Sequence, residues 1–362
     1  MTNPNLTLEN RWQTPLNLAR CPACGWSYLA AAQSTPQTCP RCFKPGLQIE
    51  PPAEDGAQQT AYAAPPELAA PFDLSQAGLE AAVQRFAAGI PYPPKDLNPH
   101  NLSRRLQRVY LPQWLVDVSV TAKWKAEAGF NYNVVSHQDR YQDGGGWASR
   151  EVQEQRIRWE PRLGRLERSY ANLPAPALEE QARLSAALGA YDYTKAVPYR
   201  PDLLREALVR LPERPPADAR ADIQPRLQEA AAAECRQAAG ADHWRLFSWQ
   251  YRTNTENWTL LLLPLFTSAY LDDDGQYQVV WINGQSGQIT GRRRASLQRA
   301  GAASLNLLLI AGVILVLGLL AGGAALFFPP ILALAVALIA VALVAGLGAI
   351  VPVFRAWSFN RG

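Results

Sequence analysis

A multi-domain α+β chain closed by a pair of apolar helices is what the 362 residues predict, and three observations carry that expectation. Four of the five cysteines fall in two C-x-x-C pairs near the start, a period-two alternation opens at Val116, and residues 300–354 contain no charged side chain. Whole-chain averages of 48% hydrophobic and 18% charged hide this segregation. It excludes a wholly soluble protein, a disordered one and a secreted disulfide scaffold. Residues 1–299 hold 33 basic and 31 acidic residues, a formal +2, without the basic excess of a dedicated nucleic-acid binder.

Cys21-Pro22-Ala23-Cys24-Gly25 and Cys39-Pro40-Arg41-Cys42 read C-x2-C-x14-C-x2-C, close to the double-knuckle spacing of a structural zinc ribbon. Each knuckle can present two thiolates to one ion, and four close a tetrahedron with no open position for a catalytic water. Cys21, Cys24, Cys39 and Cys42 are therefore the expected ligands of a structural Zn2+, in a ribbon spanning residues 1–50. Gly25 permits a left-handed backbone where the first knuckle ends, whereas Phe43 stands at the equivalent place in the second. Trp12, Trp26, Tyr28 and Phe43 could stack on bases, but aromatics in so small a ribbon more often form its core. Cys235, alone in an Ala-rich stretch, reads as a small hydrophobe.

Residues 51–71, rich in Pro, Ala and Gln, read as a linker. Leu79, Val83 and Phe86 then fall on one face of a short helix. From Val116 to Ala128 apolar and polar residues alternate, the pattern of a long half-buried strand. A second strand is expected near 150–160 and a third near 165–171, joined by a turn at Pro161-Arg162-Leu163-Gly164. Residues 177–239 look mainly helical, broken by prolines, and strands return from about 244. The best hairpin signal runs from Gln276 to Ile282, through Asn283-Gly284, to Ile289, with another turn at Asp274-Gly275. Residues 72–291 thus form a mostly antiparallel α+β domain, expected on the cytoplasmic side.

The uncharged block supplies two runs, 307–328 and 331–354, each longer than the roughly 20 residues a membrane-spanning helix needs. Pro329-Pro330 marks the turn between them. Arg292, Arg293, Arg294 and Arg299, in a basic juxtamembrane segment 292–306, precede the first run. Arg355 and Arg361 follow the second, and the turn is uncharged. The positive-inside tendency then places both termini in the cytoplasm and the chain, with two spans, in the plasma membrane. Residues 1–20 lack an apolar core segment, so no signal peptide is expected. Gly318 and Gly322 are expected to let the two spans pack closely.

No catalytic constellation is legible. None of the five lysines follows a glycine, which excludes a Walker A lysine. Gly284-Gln285-Ser286-Gly287-Gln288 fails G-x-S-x-G at its last position and reads as a turn. His100, His137 and His243 stand far apart, and Gly144-Gly145-Gly146 lacks the setting of a phosphate loop. Asp272, Asp273 and Asp274 lack the alternating spacing of a calcium loop. A non-enzymatic protein with no catalytic residue and no small-molecule site is expected.

Three segments carry a family likeness: Pro71-Phe72-Asp73-Leu74, Tyr110-Leu111-Pro112-Gln113-Trp114-Leu115-Val116-Asp117, and Leu263-Pro264-Leu265 followed by Trp281 to Gly291. Together with the ribbon and the apolar pair, they make the chain resemble bacterial zinc-ribbon membrane proteins over nearly its whole length. Some of those proteins work with a phage-shock-type (PspA-like) stress effector. Leu265-Phe266 stands where such proteins tend to have an aromatic after Leu-Pro-Val. The resemblance implies a membrane-anchored adaptor whose partners are the lipid bilayer and a protein, a PspA-like effector among the candidates, in the envelope-stress response. The rival expectation is a membrane-tethered regulator that binds nucleic acid through the ribbon.

Overall fold

The computed structural model describes residues 12–32, 38–50, 65–142 and 145–361. The strands are β1 (Leu16–Arg20), β2 (Ser27–Ala31), β3 (Gln48–Glu50), β4 (Leu68–Ala69), β5 (Gln107–Gln142) and β6 (Gly146–Pro176), then β7 (Val197–Pro198), β8 (Ala207–Arg210), β9 (His243–Leu271), β10 (Tyr277–Asn283) and β11 (Ile289–Gly291). The helices are α1 (Gln76–Ala88), α2 (Pro99–Arg104), α3 (Gln181–Leu188), α4 (Pro216–Ala238), α5 (Leu297–Ala324), α6 (Leu332–Gly348) and α7 (Val351–Phe359). The result is a mixed α+β fold with one large sheet. Two compact units divide it: unit 1 takes Met1–Pro112, Glu180–Leu211 and Leu262–Gly362, and unit 2 takes Gln113–Glu179 and Pro212–Leu261.

In unit 1 the strand order is β11-β10-β9-β5-β8-β2-β1-β3. The cysteine-bearing segment joins this sheet directly, because β2 pairs antiparallel with β8, Tyr28 opposite Arg210 and Leu29 opposite Val209. In turn β8 runs parallel to the first residues of β5. Of the stretch expected to be a linker, residues 51–64 lie outside the described residues, while Leu68–Ala69 forms β4 and pairs with β7.

Helix α1 forms where its apolar period places it. Ser75 caps it by accepting from the Gly78 N–H at 3.1 Å, and Leu79, Val83 and Phe86 are buried against Phe266, Tyr270, Val280 and Ile282. Ala300 and Ala356, from α5 and α7, close the same cluster. The apolar helices are thus rooted in the core of unit 1.

Between α1 and α2, Asp96 gathers hydrogen bonds from Arg105, from Asn101 Nδ2 at 2.8 Å and from the Leu271 N–H at 2.7 Å. Burial alone would raise its carboxyl, but the bonds from Arg105 and Leu271 outweigh that and hold it below the usual value. Asp96→Asn should cost about 1–3 kcal/mol, read as a lower urea midpoint. Because the folded-state value is the lower one, the carboxylate's contribution is fully present above about pH 4 and is lost as pH falls below it. The Asn variant should lack that part of the acid-unfolding slope; an identical slope would refute the assignment.

Unit 2 is built on the long β5–β6 hairpin. Val116, Val118, Val120, Ala122, Ala126 and Ala128 are buried, as their alternation requires. Helix α4 lays Ala219, Ile223, Leu227 and Ala231, spaced by four, over the base of this face. Cys235 continues the stripe and is buried, and its burial pushes the thiol up to about 11.

Three sequence expectations for the sheet and its connections are corrected. Residues 161–164 are no turn: β6 is one strand of 31 residues, and its ladder with β5 runs straight through Pro161 and Gly164. Only β5 is paired with β6 among the described residues, so a proline lacking N–H is tolerated on the outer side. Gly164 is needed for space, since a Cβ there would lie 3.0 Å from the Trp124 ring. Second, residues 177–239 are mainly helical as expected, through α3 and α4, but they also contribute strands: Val197–Pro198 is β7 and the buried tetrapeptide Ala207–Arg210 is β8. It is too short for a period to show. Third, β10 and β11 are joined by a loop, residues 284–288, not by a two-residue Asn-Gly turn. Asn283 Oδ1 accepts from the N–H groups of Gln285 and Ser286 at 2.9 and 3.1 Å, which holds the longer loop.

The two candidate spans cover Leu297–Ala324 and Pro329–Phe359, and only 11% and 17% of their most apolar windows are buried. They pack on a seam of small residues. A Cβ at Gly318 would lie 2.9 Å from Ile339 Cγ1, and Ala311, Ala335 and Ala342 are buried nearby in the two helices. The expected second helix over 331–354 is interrupted. α6 ends at Gly348 and α7 restarts at Val351, where Pro352 brings no N–H to continue the ladder. At the root of α5, Ser296 accepts from the Arg299 N–H at 3.0 Å, and Asp273 Oδ2 accepts from the Gln298 N–H at 2.9 Å. A carboxylate there offsets the positive end of the helix dipole.

Candidate metal centre

The two C-x-x-C knuckles are built alike. Cys21 N–H donates to Trp26 O at 2.9 Å and Gly25 N–H returns to Cys21 O at 2.8 Å. Cys39 N–H donates to Lys44 O at 3.0 Å and Phe43 N–H to Cys39 O at 2.8 Å. Gly25 sits at φ +75° and Phe43 at +54°. The departure at Phe43 is therefore one of residue type only: the backbone takes the left-handed turn, and the ring is buried and packs on Tyr277 at 6.1 Å.

The knuckles bring the four sulfurs together, all within 4.8 Å of one another. Cys21 Sγ lies 3.7 Å from Cys42 Sγ, and Cys24 Sγ 3.6 Å from Cys39 Sγ. A tetrathiolate tetrahedron with metal–sulfur bonds of about 2.3 Å has edges of about 3.8 Å, so the four cysteines fit one ion. The distances are far too long for a disulfide. Among the described residues this is the one group of three or more His, Cys, Asp or Glu able to share an ion.

In the protein alone, burial raises the thiols of Cys39 and Cys42 and takes Cys24 to about 11. Cys21 is also desolvated, but the N–H groups of Cys24 and Ala23 outweigh this and lower it. The Arg41 N–H approaches Cys39 Sγ at 3.4 Å and the Tyr28 hydroxyl lies 3.7 Å from the same atom. Both polar neighbours suit a thiolate.

The four ribbon aromatics Trp12, Trp26, Tyr28 and Phe43 are all at most 6% exposed. The guanidinium of Arg41 lies 4.5 Å from the Trp26 ring centroid and that of Arg210 4.6 Å, and Trp281 stacks on Trp26 at 6.2 Å. Arg41 also reaches Cys24 O at 3.4 Å and Glu180 at 3.5 Å. The Cys-x-x-Cys spacing singled out the four cysteines that the fold brings together, but it does not place Arg210, on β8 opposite Tyr28, or Trp281, on β10, against Trp26. The other singled-out residues do not join this cluster. His243 bonds Asn131 at 2.8 Å within unit 2, and Gly284–Gln288 is a structural loop.

The chain matches no protein-family model, no curated protein and no solved structure.

Proposed function

We propose that the chain is a non-enzymatic adaptor, anchored in a membrane by its two apolar helices and folded at the four-cysteine cluster around a structural Zn2+. The observation that carries this is the rooting of α5 and α7. Ala300 and Ala356 are buried in the core of unit 1, while the apolar lengths beyond them stay almost wholly uncovered by protein. Such helices find their cover in lipid. A tetrathiolate site with no open position suits a structural ion, not a hydrolytic one.

The arginines 292–294, 299, 355 and 361 put the folded units and both chain ends in the cytoplasm of a bacterial cell. Anchoring there raises the effective concentration of a protein partner at the bilayer; a PspA-like stress effector fits the family resemblance. Burial of all four ribbon aromatics leaves none free to stack on bases, which weighs against the nucleic-acid reading.

Crosslinking in native membranes from the surface of unit 1, with mass spectrometry, tests the reading. One recurrent protein should be captured, and it should be lost when the apolar helices are removed. A variant with Gly362→Cys should react with an impermeant maleimide only after permeabilisation. Labelling of intact cells, or capture of nucleic acid in place of protein, would overturn the proposal.

A further inference from the structure

The outer edge of β6 is an interaction surface that the anchoring role does not use. Across 31 residues β6 is paired only with β5 among the described residues, which leaves its other side without a ladder partner. Natural sheets blunt such edges, commonly with proline. Pro161, Pro174 and Pro176 do so in the second half of β6, but no proline falls between Gly146 and Glu160.

The proline-free stretch is guarded instead by charge, and that charge is patterned. Glu154, Arg156, Arg158 and Glu160 share one face and are solvent-accessible, their side chains 40%, 55%, 67% and 32% exposed. We propose that this edge, residues 149–160, binds the same edge of a second copy of this chain, antiparallel about a two-fold axis at Gln155.

Among axes at residues 154–159, the charge pattern discriminates. A two-fold axis perpendicular to a sheet keeps every residue on its own face, so the axis must pass through a residue. Side chains directly opposite then interact, and like charges repel. An axis at residue 154, 156 or 158 sets a charge against itself. One at 157 sets Arg156 against Arg158 and Glu154 against Glu160, and one at 159 sets Arg156 against Arg162. The axis at Gln155 alone among these six avoids every like-charge pair. It places Glu154 of each copy opposite Arg156 of the other, and Ile157, 40% exposed, opposite Gln153. The same pairing gives the free backbone groups of both edges their ladder.

The test uses the full-length protein in detergent, with mass measured by light scattering. Wild type should be a dimer. Glu154→Arg and Arg156→Glu should each be monomeric at the same concentration, because each creates two like-charge contacts across the axis. Mixed in equal amounts, the two variants should recover a heterodimer, the arginines of one facing the glutamates of the other. The Glu154–Arg156 ion pair within each chain, at 3.1 Å, is lost in both variants, so recovery on mixing reports contact between chains alone. Gln155→Cys should also give a covalent dimer on mild oxidation, through the axis. A monomeric wild type, single variants that dimerise as wild type does, or no heterodimer on mixing would each overturn the proposal.

Discussion

Replacing Cys39 by Ser, alone or with Cys21→Ser, should strip the chain of its metal and release the ribbon from the sheet of unit 1. Cys39 is fully buried, and its sulfur sits beside Cys24, Tyr28 and the Arg41 N–H. Structural zinc contributes on the order of 10–16 kcal/mol to the folding of isolated zinc-finger peptides, comparable to the whole stability of an ordinary domain at about 5–15 kcal/mol. Metal analysis should fall from about one ion per chain to near zero. Tryptophan emission should shift to the red as Trp26 and Trp281 part and meet water. Membrane association should persist, because α5 and α6 share no residue with the ribbon. Unchanged metal content in the double variant would end the metal-site assignment. A chelator that binds tightly enough should reproduce the spectral shift in the wild type.

Leu317→Arg combined with Leu343→Arg should release the protein from membranes or block its insertion. Leu317 lies at the middle of the first expected span and is 52% exposed; Leu343, in α6, is 59% exposed. An arginine at the centre of a membrane helix costs about 2.5–3.5 kcal/mol on insertion scales, so the pair should cost about twice that. The measurement is the fraction resisting alkaline extraction, compared with Leu297→Arg at the helix root, which should change little. A double variant as resistant as wild type would show that these helices do not meet lipid tails.

What the sequence made legible was local. Four cysteines at fixed spacing, the stripe Leu79, Val83 and Phe86, the alternation from Val116 to Ala128 and the uncharged block each declare themselves within a few tens of residues. The errors have physical causes. Pro161 and Gly164 are turn residues in most settings, yet an edge strand spares the proline its missing N–H, and the Trp124 ring demands the glycine. In β8 only four residues are in play, and their strand identity comes from β2 and β5 on either side. The Asn283-Gly284 pair belongs to a loop held by the Asn283 side chain, a device that dipeptide statistics do not distinguish from a tight turn. At the candidate metal centre the four clustered cysteines were visible, but the packing of Arg210 and Trp281 on Trp26 was not, because no local rule connects residue 26 with residues 184 and 255 positions further on.

Those separations also set a timetable for synthesis. At about 5–20 residues per second, Trp281 emerges roughly 13–50 s after Trp26. For that interval the two cysteine knuckles can close while the face bearing Trp26 still waits for its stacking partner. Residues 113–261 contain all of unit 2, so the β5–β6 hairpin and α4 can assemble first. The first apolar helix follows β11 by only a few residues, within about a second or two at the same pace. Unit 1 therefore completes its core just as its apolar helices emerge, so on the proposed reading the last step of folding and the first step of anchoring nearly coincide.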